Sequence, residues 1–350
     1  MTKRPAIIRK PSACQRRVSR QGSILIIALW SLCLLSSFAV ILGYSVRQKM
    51  ALVGRLEERD QLRFINEAGV KKTIVELQNA FQETYDSLND TWSNNVLVFK
   101  DTIIGEGKVN ISYERANEIT GIAETRYGLV DENSKININT ASMSVIERFF
   151  KSAIGLDEGE AQELAASIVD WRDSDSELSI PLGSAEDSYY RNLRYAYEAK
   201  DADFDVLDEV LLVKGMTEEI FTKIKDDMTI YGNGKVNINT APRAVLLALG
   251  ISSDIVDKII HFRYGEDGIL GTLDDGTFDT PANVVPKLSQ ATHLSDSDIS
   301  QLSTIVDQNL TTQSENFMIQ SAAQLNNRKK TAMVTSVVNR EGKILYWQEL

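Results

Sequence analysis

The sequence has few of the residues that form covalent cross-links or zinc sites. Only two of its 350 residues are cysteines, Cys14 and Cys33, and only two are histidines, His261 and His293. Because residues 34–350 contain no cysteine, they can form neither a disulfide framework nor a thiolate metal site. Two histidines also exclude a zinc site built from several imidazoles. The metal chemistry that stays open is binding through oxygen ligands.

Proline and basic charge are scarce as well. No proline occurs between residues 12 and 180, so nothing there interrupts a long helix. Residues 1–22 carry seven basic residues and no acidic one, whereas the other residues carry 31 basic and 49 acidic residues, a net charge of −18. Phosphate binding needs a basic face, so this composition disfavours a nucleic-acid-binding body. The sequence also contains no G-x-S-x-G motif, P-loop or dinucleotide fingerprint, and we predict that the protein is not an enzyme.

One apolar segment near the N-terminus is long enough to cross a membrane. Residues 23–46 are 24 consecutive uncharged residues, and a helix of that length spans about 36 Å against about 30 Å of bilayer core. The basic residues before it predict that residues 1–22 stay cytoplasmic and that residues 47–350 are translocated. The alternative is a secretory signal peptide cut near Ala39, but that cut would leave the apolar residues 40–46 at the new terminus.

A third interpretation comes from the position of Gly22, between the basic leader and the apolar segment. This arrangement resembles the leader of type IV pilins and pseudopilins, which is cut after a glycine on the cytoplasmic side. The resemblance implies cleavage between Gly22 and Ser23 by a prepilin peptidase. It also implies that residues 23–46 anchor the mature chain in the inner membrane, with its body in the periplasm. In that family the fifth mature residue is usually glutamate, and here it is Ile27.

The helical pattern continues beyond the membrane segment. Val70, Ile74, Leu77 and Phe81 fall on one stripe of a helix, so we predict a helix from residue 23 to about residue 90. Such a spine, half in lipid and half packed on a sheet, is the pilin architecture. The alternative is a membrane anchor followed by an unrelated helix.

Two regions rich in β-branched residues and glycine predict strands on either side of a helical region. The first contains predicted strands at 96–99, 108–113 and 119–129. The second contains three, at 315–325, 329–339 and 343–349, joined as an antiparallel meander. We predict an α+β fold in which a long N-terminal helix packs on an antiparallel sheet interrupted by a large helical insertion. The predicted segments are the leader 1–22, membrane helix 23–46, spine and first strands 47–131, insertion 132–311, and final strands 312–350.

The insertion contains an internal repeat, because KININTAS at 135–142 recurs as KVNINTAP at 235–242. Each copy predicts a short strand followed by a helix whose first amides are capped by Asn139 or Thr140, and by Asn239 or Thr240. A second helix is predicted after Gly155 at 159–171 and after Gly250 at 253–263, and residues 213–216 form a weaker third hairpin. The pattern resembles the helix-hairpin-helix of competence DNA receptors. Residues 132–311 carry a net charge of −17, however, which repels DNA.

Two acidic loops in the insertion concentrate oxygen ligands of the kind calcium prefers. Neither is an EF-hand, since the sixth position counted from Asp173 is Leu178 where glycine is required. The alternative for both loops is a solvated acidic surface without metal. The candidate ligands are Asp170, Asp173, Asp175, Glu186 and Asp187 in the first loop, and Asp267, Asp274, Asp275 and Asp279 in the second.

Together these features resemble the K minor pseudopilins of type II secretion systems. The resemblance covers the leader, the spine with Ile27, the repeats, the DWRDSD and GSAEDSYY segments at 170–175 and 183–190, and the terminal Tyr346-Trp347. It implies a subunit at the tip of the secretion pseudopilus that starts or caps filament assembly. It further implies calcium in the insertion and contacts with the I and J minor pseudopilins, other pseudopilins and secreted substrate proteins. Two alternatives stay open, a membrane-anchored DNA-uptake receptor and a minor pilin of a type IV pilus.

Overall fold

The structure is a computed structural model that describes residues 21–80, 84–326 and 328–350, with only the backbone described at 21–23. The basic leader up to residue 20 lies outside the described residues. The chain divides into two units, one ending at Asp60 and the other formed by Gln61–Leu350.

The first unit consists of the N-terminal part of helix α1 (Gln21–Ala80). Apolar side chains here are exposed in the isolated chain; Leu25 and Val40, for example, are more than 70% accessible. The helix is long and apolar enough to cross a membrane, as the sequence predicts. The described helix runs to Ala80, and residues 84–90, which were expected to belong to it, are not helical. Phe81 of the predicted stripe lies outside the described residues.

In the second unit, the C-terminal turns of α1 pack on one face of an antiparallel sheet. Val70 and Leu77 are fully buried against this sheet and Ile74 packs beside them, which confirms the predicted stripe. Gly69 lets the helix approach closely, because a Cβ at this position would lie 3.0 Å from the methyl groups of Val109. The rest of this core is formed by Leu62, Ile65, Trp92, Phe99, Val109, Ile111, Leu129, Phe317, Ile319, Ala323, Leu325 and Val338.

The sheet has six strands. Five of them follow the order β1-β2-β10-β11-β12, and β5 pairs with the other end of β10. The final three strands form the predicted antiparallel meander. The six strands of this sheet are β1 Thr102–Ile104, β2 Gly107–Ile111, β5 Val130–Asp131, β10 Asn316–Leu325, β11 Thr331–Asn339 and β12 Ile344–Glu349.

Two of the predicted strands are wrong. Residues 96–99 form a short helix, α2 (Val96–Phe99), because the Asn95 side chain accepts a hydrogen bond from the Leu97 amide and caps its first turn. The predicted strand 119–129 is shortened to β4 (Ala123–Arg126), which forms a hairpin with β3 (Tyr113–Ala116). Its first residues are taken up by the hairpin turn, where the Asn117 side chain accepts the amide hydrogens of Ile119 and Thr120.

The chain leaves the sheet at β5 and returns to it at β10, and the helical insertion lies between these two paired strands. Two parallel strand pairs, β6 with β7 and β8 with β9, occur among its helices. Its helices are α3 Met143–Ile154, α4 Glu158–Arg172, α5 Asp187–Tyr190, α6 Glu218–Ile224, α7 Arg243–Ala248, α8 Ser253–Tyr264, α9 Val284–Ala291 and α10 Asp296–Asn309. Its strands are β6 Ile136–Asn137, β7 Met228–Thr229, β8 Val236–Asn237 and β9 Leu310–Thr311, and its 3-10 helices are Glu132–Ser134, Leu207–Leu212 and Pro281–Asn283.

The repeated asparagines do not cap helices, and the expected capping role is wrong. The residues at the N-cap positions of α3 and α7 are Ser142 and Pro242. Asn139 instead forms a reciprocal pair of hydrogen bonds with the backbone N–H and C=O of Phe204, and Asn239 forms the same pair with Phe278. Each asparagine therefore clamps a backbone segment that is distant in sequence.

A buried polar cluster joins the insertion to the sheet. One carboxylate oxygen of Asp131, at the end of β5, accepts hydrogen bonds from Asn237, Thr240 and Ser314. Burial raises the pKa of the Asp131 carboxyl to about 6. These bonds tie the second repeat to the two points where the insertion leaves and rejoins the sheet.

Candidate metal centres

The first acidic cluster lies at the C-terminal end of α4. Oxygens of Asp173, Asp175 and Glu186 all lie within 4.8 Å of one another. Asp170 belongs to the last turn of α4, Asp173 follows the end of that helix, and Glu186 precedes α5. The structure therefore brings together candidates from two sequence segments that the intervening loop separates.

Three buried oxygens, two in this cluster and one on the nearby Asp170, lack a hydrogen-bond donor among the described residues. They are Asp170 Oδ2, Asp173 Oδ1 and Glu186 Oε1. Asp170 is completely buried and Glu186 is 4% exposed. A buried carboxylate oxygen without a donor is costly, whereas a hard cation with oxygen ligands would satisfy several of them at once. The donor set therefore fits calcium.

The electrostatics of the cluster indicate uncompensated negative charge. Burial, and then repulsion by Asp170, raises the pKa of Glu186 to about 7. Burial, and then repulsion by Asp175, raises the pKa of Asp173. Without a cation, this arrangement makes ionisation of both carboxyl groups less favourable.

The first repeat helps to position this cluster. Arg172, at the end of α4, donates hydrogen bonds to the carbonyl oxygens of Ile138 and Ala141 in the repeat. Next to it, Trp171 packs edge-on against Tyr190, which is buried just after Glu186. The two segments that carry the carboxylates are thus held together by an aromatic contact and an arginine anchor.

Two further acidic residues differ from the sequence-based expectation. Asp187 accepts the Ala199 amide and forms an ion pair with Arg191, so its oxygens are used outside the cluster. Asp201 was not predicted, yet its charge is near enough to contribute to the raised pKa of Glu186. Asp201 adopts a positive φ of 51°. No spacing pattern marks it in the sequence, because it follows Asp173 by almost thirty residues.

The second acidic cluster has a different character. Oxygens of Asp267, Asp274 and Asp275 also lie within 4.8 Å of one another. Here, however, one oxygen of Asp274 accepts the amides of Glu266 and Asp267, while one oxygen of Asp275 accepts those of Gly271 and Thr272.

Hydrogen bonds from the Thr272 hydroxyl and from these amides lower the pKa of Asp274. Asp279 lies apart from the group and is bound by Lys287 and Asn283. The second loop is therefore held by its own backbone donors.

Both loops occupy equivalent places in the two repeats. Each follows the second helix of its repeat, α4 or α8, and each leads along the chain to a clamped phenylalanine, Phe204 or Phe278. Arg263 of α8 donates to the Ile238 and Ala241 carbonyl oxygens, as Arg172 does in the first repeat. The repetition therefore extends beyond the eight-residue segment to the helix end, the acidic loop and the clamp.

One segment of the insertion and its flanks matches a known protein family. Residues 126–233 match the family model of the type II secretion system protein K. This segment belongs to the protein K family. It contains the first repeat, helices α3–α6 and the whole first acidic cluster. The resemblance inferred from the sequence is confirmed.

The protein K fold is also found in solved structures. A chain in the crystal structure of the GspK-GspI-GspJ complex from the type 2 secretion system of enterotoxigenic Escherichia coli aligns with a TM-score of 0.63 and 17% identity. The alignment covers 85% of this chain and 99% of that chain. No curated protein sequence matches the chain significantly. The similarity confirms the α+β fold with its long N-terminal helix.

The two comparisons agree with each other. The family model matches one segment of the chain, and the structural similarity extends over most of it. The N-terminal helix, which lies outside the matched segment, is long and apolar enough to cross a membrane.

Proposed function

We propose that the protein is the tip subunit of a type II secretion pseudopilus and starts or caps the assembly of that filament. The observation that carries this proposal is the large insertion between β5 and β10 of a pilin-like unit, whose first part matches protein K. An insertion of this size on the sheet would hinder the stacking of a further subunit above it.

The N-terminal segment supports the same role. Before assembly, α1 anchors the chain in the inner membrane, with the leader in the cytoplasm and the body in the periplasm. A prepilin peptidase cuts between Gly22 and Ser23. Ile27 then replaces the usual fifth-residue glutamate, and its side chain is exposed on α1. A glutamate buried among apolar spines needs a cationic partner, so a subunit without it is suited to the position that has no subunit above it.

The partners follow from the same position. The solved relative is a complex of GspK, GspI and GspJ, and we extend this assembly to the I-type and J-type minor pseudopilins of this system. Other pseudopilins would join below them. Secreted substrate proteins would meet the exposed insertion.

Calcium binding at the first acidic cluster is part of the proposal. Asp170, Asp173, Asp175 and Glu186 would hold the ion, and the three orphaned oxygens support this assignment. The ion would neutralise the cluster and fix the loop between α4 and α5, which no disulfide can do in this cysteine-free body. The second cluster stays a prediction, because its oxygens already accept backbone amides.

Leader processing tests the pseudopilin class directly. Expressed with a prepilin peptidase, the chain should yield a mature N-terminus at Ser23 by mass spectrometry. The Gly22→Asp variant should stay uncut. A terminus near Val40, or no cleavage of the natural sequence, would refute the pseudopilin assignment.

Calcium binding is tested by calorimetry on chelator-treated protein. The natural chain should bind calcium, and Asp170→Asn should weaken that binding by about 10- to 100-fold. Glu177→Gln is the matched control, since Glu177 is an exposed carboxylate of the same loop outside the cluster. If both variants bind calcium with equal affinity, Asp170 is not a calcium ligand.

A further inference from the structure

The face of the main sheet that points away from α1 borders an open cleft. In β10, Phe317 and Ile319 belong to the core beneath α1, so Met318 and Gln320, which alternate with them, point to the opposite face. Two cavities of about 420 and 450 Å³ lie between this face and the insertion, and Met318 and Gln320 line both of them. The two cavities therefore meet over the middle of β10 and form one cleft.

The walls of the cleft come from both the sheet and the insertion. The first cavity extends over β11 and β12, where Val337 and Tyr346 continue the floor beside Met318. Its opposite wall is largely apolar and contains Val206, Leu207, Phe221 and Ile230. The second cavity extends over β5 to the β3–β4 hairpin and the start of α7. Each cavity has the volume of a small-ligand site, which suits an extended chain better than a helix about 10 Å across.

The charges that line the cleft do not balance. Three of its basic residues already have acidic partners: Lys135 pairs with Glu132, Arg115 with Glu118, and Arg243 with Asp257. Four acidic residues of the lining form no ion pair in the described part of the chain, namely Glu114, Asp208, Asp226 and Asp227. Against these four, the lining has the exposed Lys225. The cleft thus keeps a net negative charge.

This negative charge is present where the two cavities meet. Asp226 lines both cavities, and its neighbour Asp227 lines the second. Burial raises the pKa of Asp227 to about 6 although Lys135 and Arg115 oppose the rise, and the charge of Asp226 adds to it. A positive charge bound at this point would therefore stabilise both carboxylates.

We propose that this cleft binds an extended peptide segment of another protein, one that combines apolar side chains with a lysine or arginine. The apolar side chains pack on Met318, Val337 and the apolar wall of the insertion. The basic side chain pairs with Asp226 where the cavities meet. An acidic segment or a nucleic acid does not fit, because the same carboxylates repel it.

The cleft is separate from the surface that α1 offers to other subunits. The C-terminal turns of α1 pack on the opposite face of the sheet. The inference therefore does not depend on the proposed position of the protein in a filament.

The test measures the binding of two dye-labelled peptides, Val-Lys-Val-Lys-Val and Val-Glu-Val-Glu-Val, to the full chain in an uncharged detergent. Fluorescence anisotropy gives both affinities. We expect the lysine peptide to bind, and the glutamate peptide to bind about tenfold more weakly or not at all.

A charge variant tests the role of the junction. Asp226→Asn removes one negative charge from an exposed side chain, and we expect it to weaken binding of the lysine peptide by about fivefold. Asp307→Asn is the matched control. It changes the net charge equally, and Asp307 is an exposed carboxylate of α10 that lines neither cavity.

A steric variant tests the cleft without changing any charge. Gln320→Trp fills the space where the cavities meet, and tryptophan is well accepted in strands. We expect it to weaken binding by about tenfold. Gln324→Trp is the control, because Gln324 lies on the same face of β10 outside both cavities. Thermal melts of all four variants check that each one is folded.

Weaker binding in Asp226→Asn and Gln320→Trp, with both controls unchanged, would support the cleft as the binding site. Equal weakening in Asp226→Asn and Asp307→Asn would mean that the peptide is attracted by overall charge, and would overturn the inference. Unchanged binding in a folded Gln320→Trp variant, no binding of the lysine peptide, or equal binding of both peptides would overturn it as well. The proposed function is tested independently by leader processing.

Discussion

The two acidic loops of the insertion have similar composition and equivalent places in the repeats, yet they satisfy their carboxylates differently. In the first loop, oxygens of Asp170, Asp173 and Glu186 are buried and have no hydrogen-bond donor in the part of the chain that the structure describes. In the second, Asp274 and Asp275 each accept backbone amides of their own loop. The difference teaches that a count of acidic residues does not identify a metal site. What matters is whether the backbone supplies the donors that a cation would otherwise replace.

The strongest test of whether the two repeats are equally stabilised is to replace the asparagine that forms the clamp in each of them. The buried Asn239 side chain bonds Phe278 twice and the Asp86 carbonyl once, whereas the Asn139 side chain bonds only Phe204 among the described residues. We expect Asn239→Ala to lower the free energy of unfolding by about 4 kcal/mol and Asn139→Ala by about 2 kcal/mol. Denaturant unfolding of both variants measures this. Equal losses would show that the additional bond to Asp86 contributes little.

The second-largest effect should come from calcium, which we expect to stabilise the protein through the first loop and not through the second. A ligand present at 100 times its dissociation constant stabilises the folded state by about 2.7 kcal/mol. We therefore expect calcium to raise the melting temperature of the natural chain and of Asp274→Asn. It should fail to do so in Asp170→Asn. Thermal melts with calcium and with a chelator test this, and a loss of the shift in Asp274→Asn alone would assign the ion to the second loop.

The stability of the calcium-free protein should depend on pH because of the first loop. The folded-state pKa of Glu186 is raised from 4.5 to about 7, so its contribution to stability is fully present below pH 4.5. That contribution is lost as the pH rises through about 7. The chelated protein should therefore be less stable at pH 8 than at pH 6, and Glu186→Gln should reduce this difference. A Glu186→Gln profile parallel to that of the natural chain would contradict the assignment.

The smallest effect is expected in the second loop, which is exposed. Asp274→Asn keeps one acceptor oxygen but removes the charge that the Glu266 and Asp267 amides stabilise. We expect faster hydrogen exchange at these two amides with little change in global stability. Unchanged exchange would mean that the loop conformation is held by other contacts, such as the bonds of Asp275 to Gly271 and Thr272.

Much of the fold could be predicted from local patterns, and the failures have local causes. The stripe of Val70, Ile74 and Leu77 and the terminal meander were correct, because burial periodicity differs between helices and strands. Residues 96–99 were wrong, since a cap by Asn95 overrode the β propensity of a short apolar run. The asparagines were misassigned because Asn is common at helix starts, and the sequence does not show that Phe204 and Phe278 pass beside them.

The sequence by itself determined the long apolar N-terminal helix, the α+β class, the repeats and the resemblance to protein K, because these depend on composition, periodicity and motifs along the chain. The sequence also identified both acidic loops as candidate calcium sites. Only the tertiary structure decided which described oxygens are left without donors, that the charge of Asp201 is near Glu186, and that Asp187 and Asp279 are used elsewhere. Donor supply and burial depend on segments far apart in sequence that meet only in the folded chain, and no local pattern records those meetings.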